Sequence, residues 1–226
     1  MESVWAEAPH LYRVGDYVYL MTAEGGTSFE HSEMAMRIYA PHGLLRAFEA
    51  YEREVSELGE CIPQVRDGER CYLGAAIRAF HADKKNPILT HRHLGLSEPL
   101  QCVGHADLLL HPKLGWWLVC LGVRETRGKR DVELLSYLGR ESFVAPVSWE
   151  HNPADWKLDG NGAPYTHEGD PGWPVTCAGL GRLADEITVT TADDGIAIEP
   201  RVKSSLAGDV EPALVDVADG STNDVV

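Results

Sequence analysis

No apolar run in this chain approaches the ~18 residues that a membrane-spanning helix needs, and Met1-Glu2-Ser3-Val4 carries neither the basic start nor the apolar stretch of a signal peptide. As written, the sequence therefore predicts a cytoplasmic protein with no membrane partner. Positive charge is scarce as well. Against 35 Asp and Glu stand 20 Lys and Arg, which leaves a net charge of −15. A surface of that sign repels phosphate backbones, so nucleic acid is excluded as a partner and a neutral or cationic one fits better. The five cysteines, Cys61, Cys71, Cys102, Cys120 and Cys177, are odd in number and contain no CxxC pair. That spacing makes neither a zinc ribbon nor a complete disulfide framework, and reduced thiols are expected. Aromatic residues are absent after Leu180, where ten acids between Asp185 and Asp224 face only Arg201 and Lys203. Residues 181–226 read as an acidic tail, disordered after about 204.

What remains is an ordinary globular composition, 44% hydrophobic and 24% charged over 226 residues, enough for one sizeable core. Its dominant grammar is the short β-strand. Leu11 to Glu24 gives two β-rich runs around Gly15-Asp16, a hairpin signal, with Tyr12, Tyr17 and Tyr19 suited to a half-buried sheet. Val103 to Leu110 and Trp116 to Leu121 form a second pair around Pro112 to Gly115, and Ser142 to Trp149 adds another strand. Such antiparallel strands with aromatic punctuation belong to a sandwich or a propeller. Residues 43–58 break the pattern. Leu44, Leu45, Phe48, Tyr51, Val55 and Leu58 recur at helical spacing, Glu49 and Arg53 stand at i,i+4, and Gly59 is placed to cap the C-terminus.

Three segments carry residues suited to chemistry. Glu7 opens the run Glu7-Ala8-Pro9-His10-Leu11-Tyr12, which passes into Ala23-Glu24-Gly25-Gly26-Thr27; Gly104-His105-Ala106-Asp107 sets an imidazole beside a glycine at a strand; Leu138-Gly139-Arg140-Glu141 sets a guanidinium before another. Singly, each reads as a surface or structural residue. The pair Trp116-Trp117 offers stacking surface, but its strand context favours core packing.

Together with Asn86-Pro87-Ile88-Leu89-Thr90-His91-Arg92, Pro146-Val147-Ser148-Trp149-Glu150 and Gly172-Trp173-Pro174-Val175, these motifs occur in an order that resembles glycoside hydrolase family 43. The β-xylosidase and α-L-arabinofuranosidase members are the most similar, over residues 5–37 and 85–176. The resemblance implies an all-β five-bladed propeller and an exo-acting, inverting hydrolase of xylan- or arabinan-derived oligosaccharides, with no organic cofactor. It implies that Glu7 is the general acid, that Thr27, His105 and Arg140 bind the sugar, and that His105 holds calcium through water.

The same resemblance sets limits. The family's catalytic base and tuning carboxylate are aspartates upstream of the acid, and only six residues precede Glu7. Five blades need about 200 to 250 residues, so residues 1–180 are expected to form the second half of such a ring, with 38–84 an atypical insertion around the helix. Self-association would complete the propeller, and the isolated chain is expected to hydrolyse weakly or not at all. Two further readings stand beside this one: a non-catalytic sugar-binding remnant, and a zinc-dependent hydrolase built on His91-Arg92-His93 with His105 and Asp107.

Overall fold

The structure is a computed structural model. The described residues are 5–57, 79–95, 98–127, 134–151, 169–192 and 195–202. The Cys61 to Cys71 loop, Gly59 and the region after 204 lie outside them.

Two antiparallel sheets carry the fold. The first contains β1 (Glu7–Val14), β2 (Tyr17–Glu24), β3 (Ser32–Tyr39) and the two-residue strands β4 (His81–Ala82) and β5 (Leu89–Thr90), both of which pair with β3. β1 and β2 meet through Gly15-Asp16, with Val14 opposite Tyr17. Gly15 has φ +58°, which a two-residue hairpin turn requires at its first position. The second sheet runs β6 (Leu100–His111), β7 (Gly115–Arg124), β10 (Arg140–Glu150) and β11 (Trp173–Thr176), with the small pair β8 (Thr126–Arg127) and β9 (Leu134–Leu135) between β7 and β10 in the chain. At the β6–β7 turn the His111 Nδ1 accepts the Lys113 and Leu114 amides at 3.2 and 3.0 Å. Both sheets are meanders in chain order, the unit from which a propeller blade is made. The all-β class with a single long helix is what the sequence predicts.

The main core lies between the sheets. Tyr17, Tyr19, Met21 and Ala35 of the first face Val103, Leu108, Leu118, Cys120, Ala145 and Val147 of the second, closed by Trp173 and Leu183. Trp116 packs against this core with its ring 5.4 Å from that of Trp149, in line with the packing role that its strand context favours. β2 is covered on both faces. Its other side, with Val18, joins Ile38 and Ala40 against Leu44, Ala47, Phe48 and Tyr51 of helix α1 (Leu44–Glu57). The helix boundaries agree with the apolar periodicity to one residue. Its ion pair does not: the Glu49 carboxylate meets Arg46 at 2.8 Å, one turn earlier, while the Arg53 Nε donates to the Glu49 carbonyl. The segment that departs at Tyr39 returns as β4 to pair with Met36 and Arg37.

A buried ion pair fastens the two sheets. Arg37, in β3, donates two hydrogen bonds to Asp170 at 2.6 and 2.9 Å and one to the Gly172 carbonyl at 2.8 Å, just before β11. Its guanidinium lies between the rings of Tyr17 and Trp173, 4.5 and 4.4 Å from their centres. Planar stacking and a bidentate carboxylate are contacts that lysine cannot reproduce.

Beyond the second sheet, Leu183 is buried in the core, Arg182 pairs with Glu98 at 3.0 Å, and β12 (Glu186–Ala192) and β13 (Gly195–Arg201) form a hairpin. The acidic composition of this stretch concealed that order. Cys120 and Cys177 are buried and Cys102 is half-buried, all three as free thiols.

Arg37→Leu leaves the Asp170 carboxylate buried without its partner and is expected to cost about 3–5 kcal/mol in urea unfolding. The Arg37→Leu/Asp170→Leu double variant should recover much of that loss. Equal stability of Arg37→Leu and the parent would show that the pair does not fasten the sheets.

Candidate functional site

Glu7 starts β1 opposite Ala23, and a register shift separates it from His10. Ala8, inside that irregularity, has φ +49°, a conformation that side chains with a Cβ rarely adopt. β6 is irregular in the same way. Its register shifts twice, on either side of Gly104, and both Cys102 and His105 have positive φ, +58° and +54°. Backbone departures of this kind re-aim side chains. Here they bring the Glu7 Oε1 to 3.7 Å from the His105 Nδ1, with both side chains partly open to solvent.

A third residue stands beside them. His31, at the entrance to β3, is 1% exposed, and its ring centre is 6.3 Å from that of His105. The His31 Nδ1 lies 2.9 Å from the Cys102 carbonyl, so that nitrogen carries the proton and donates it. The other ring nitrogen, Nε2, is buried with no hydrogen-bond partner among the described residues. Burial lowers the His31 pKa, which keeps the imidazole neutral. Gly104 explains how the ring fits: a Cβ on Gly104 would stand 2.8 Å from His31 Cδ2 and 2.9 Å from Nε2.

The β6 irregularity is held from below by Glu33. Its Oε2 accepts the Ala106 amide at 2.7 Å in a position 1% exposed. Burial raises the Glu33 pKa from its ordinary 4.5 to about 8, so the carboxyl is protonated at neutral pH. On the outer side, Tyr12 donates to Asp107 at 2.7 Å and accepts the Leu108 amide at 3.0 Å, tying β1 to β6. His10 also contacts Asp107.

Of the residues singled out from sequence, the structure joins Glu7 and His105 directly. Thr27 is exposed in the turn between β2 and β3, and Arg140 is exposed at the start of β10 opposite Val123. Thr27 follows the end of β2 that carries Ala23, the residue opposite Glu7, and the positive charge of Arg140 contributes, after burial, to the lowered pKa of His31. His31 and Glu33 were not singled out. Their one sequence signal is Gly104, since a glycine inside a strand marks a close approach.

The His91-Arg92-His93 zinc set does not assemble. The His91 Nδ1 donates to the Leu100 carbonyl at 2.7 Å and its Nε2 accepts the Leu183 amide at 2.9 Å, so neither nitrogen is left for a metal. Burial pulls its pKa down from 6.5 to about 4. His93 is exposed, and Asp107 is engaged by Tyr12 and His10. The donors that do converge among the described residues are those of Glu7, His31 and His105, all within 4.8 Å of one another. Calcium takes six to eight oxygen ligands, and two imidazoles with one carboxylate do not fit it as a directly bound ion.

No protein-family model matches the chain. Among curated proteins it is 34% identical over 184 residues to a xylosidase/arabinosidase of Butyrivibrio fibrisolvens, covering 81% of this chain and 24% of that protein. To the non-reducing end alpha-L-arabinofuranosidase BoGH43B of Bacteroides ovatus it is 33% identical over 144 residues, covering 64% of this chain and 20% of the relative. Among solved structures, a Bacteroides ovatus GH43B protein is 30% identical with a TM-score of 0.47, over 80% of this chain and 24% of that one. The chain thus spans between a fifth and a quarter of the length of these relatives.

Glu33 and His91 bias the pH dependence of stability in opposite directions. The Glu33 carboxyl keeps its proton more tightly folded than unfolded, so its contribution is whole below pH 4.5 and is lost as pH rises to about 8. His91 resists protonation when folded, so its contribution is whole above pH 6.5 and is lost as pH falls to about 4. The Glu33 and His91 slopes, each up to about 1.4 kcal/mol per pH unit, oppose each other between pH 4.5 and 6.5, where His31, its pKa also lowered by burial, adds to the His91 side. Thermal unfolding should show a decline from pH 6.5 to 8, which Glu33→Gln flattens. A decline of the same steepness in Glu33→Gln would refute the assignment.

Proposed function

We propose, from the premise that this chain belongs to glycoside hydrolase family 43, that its 226 residues carry the acid side of a glycosidase site for xylan- or arabinan-derived oligosaccharides. The observation that supports this most is the approach of the Glu7 carboxyl to His105 at 3.7 Å, on two strands whose backbones both depart from regular β geometry to achieve it. A general acid must hold its proton until the glycosidic oxygen needs it. A neighbouring imidazole lies close enough to influence that carboxyl, and both side chains are partly open to solvent, where a substrate oxygen can reach them.

In this reading Glu7 protonates the leaving oxygen. Arg140 and Thr27 contribute donors for the sugar hydroxyls; the five N–H groups of a guanidinium can satisfy several acceptors at once. Inversion further requires a carboxylate base on the opposite face of the sugar, with roughly 6.5 to 9.5 Å between the two carboxyl groups to admit water. None of the motif matches supplies that base. Asp83, one carboxylate of suitable type, is buried at 4% exposure and accepts the Lys85 amide at 2.9 Å. Asp107 is held by Tyr12. Loss of base catalysis costs roughly 10² to 10⁴-fold.

Incubation of the purified chain with 4-nitrophenyl β-xylopyranoside and 4-nitrophenyl α-L-arabinofuranoside is expected to release nitrophenol at least about 100-fold more slowly than an intact glycosidase, with the residue abolished by Glu7→Gln. Turnover at ordinary glycosidase rates that depends on Glu7 would place a working base within these residues. Binding of xylo-oligosaccharide that Arg140→Ala removes, with no reducing sugar released even in the presence of Glu7, would favour the sugar-binding reading instead.

A further inference from the structure

The second sheet presents an apolar face away from the core. We propose that this face of β6, β7 and β10 is the seat of a second copy of the same chain, packed sheet on sheet about a two-fold axis.

The composition of β7 gives the first reason. A strand with one face in water alternates apolar and polar residues, whereas one covered on both faces reads as a nearly unbroken apolar run. Gly115–Arg124 holds no charged side chain before Arg124. β2 is similar from Tyr17 to Met21, and both of its faces are covered, one by the core between the sheets and the other by α1. β7 has the first cover only. Leu118 and Cys120 point into the core, while Trp117, Val119 and Leu121 alternate with them and belong to neither apolar cluster of the described residues. Leu109 stands opposite Trp117 and Val144 opposite Val119, each 53% exposed, and they extend the patch to the neighbouring strands.

Size and charge select the occupant. β6, β7 and β10 have 12, 10 and 11 residues. At ~4.8 Å between strands and ~3.3 Å per residue they offer roughly 500 Å². Two copies face to face therefore bury about 1,000 Å², the least that a specific interface needs. A chain of net charge −15 meets its copy with least repulsion where the surface is uncharged. Asp107, opposite Val119, and Arg140, opposite Val123, border the patch with one charge of each sign.

α1 selects the symmetry. Head-to-tail assembly, which a ring of copies requires, would lay this face on the far side of the first sheet of the next copy. There α1 rests on Val18, Ile38 and Ala40. A helix is about 10 Å thick and stacked sheets stand about 10 Å apart, so α1 fills the layer that another sheet would need. The same face meeting itself avoids the helix and stops at two chains. This pairing is independent of whether Glu7 acts as a general acid.

Sedimentation velocity of the purified chain over a concentration series tests this. A monomer–dimer equilibrium is expected, with nothing larger. Val144→Glu and Leu109→Glu each bury a carboxylate in the interface and should weaken the dimer about tenfold or more; both sites are exposed in one chain, so circular dichroism should be unchanged. Leu11→Glu, exposed on the first sheet opposite Leu20, should leave the dimer intact. A monomer at every concentration, a dimer that survives both Val144→Glu and Leu109→Glu, a dimer lost in Leu11→Glu, or an assembly larger than two chains would overturn the proposal.

Discussion

The contact between the His31 ring and Gly104 is the constraint from which the site follows. A strand glycine ordinarily weakens a sheet because it leaves nothing to pack. Here the missing side chain is the space that a buried imidazole occupies, with less than 3 Å between the ring and the place a Cβ would take. The consequences spread along β6. The strand shifts register on each side of Gly104, Cys102 turns its carbonyl to His31, and His105 is presented toward Glu7. Glu33 then secures the arrangement by receiving the Ala106 amide from a position out of water.

This local arrangement relies on the two sheets being held at a fixed separation. Arg37 supplies that restraint from the same strand that carries Glu33, two turns of the pleat further along. Because its guanidinium is sandwiched between Tyr17 and Trp173 and doubly bonded to Asp170, β3 cannot slide relative to β11 without breaking several contacts together. Tyr12 performs a smaller version of the same task between β1 and β6. Helix α1 lies on the other face of the first sheet, so it thickens the outside of the protein without entering the core between the sheets.

Sequence reasoning reached what local pattern encodes. The hairpin at Gly15-Asp16, the strands around Pro112, and α1 to within one residue were legible because turn chemistry and apolar period are properties of neighbours. Glu7 and His105 were legible as motif residues. His31 and Glu33 were not, because their roles arise from a cross-sheet approach between β3 and β6, more than 70 residues apart in the chain. The hairpin of β12 and β13 was hidden by its acids, although Ile187 and Val189 alternate with polar residues and Asp194-Gly195 is a turn signal. His91 misled in the opposite direction: an HxH spacing suggests ligands, yet burial and two backbone partners make His91 a structural residue.

The central claim is that Gly104 is small because His31 is there. A thermodynamic cycle of Gly104→Ala in the parent and in a His31→Ala background measures that coupling directly. Overpacking of this kind costs about 1–3 kcal/mol, and the account predicts that the cost of Gly104→Ala falls by more than about 1 kcal/mol once the imidazole is removed. An identical cost in both backgrounds would contradict it.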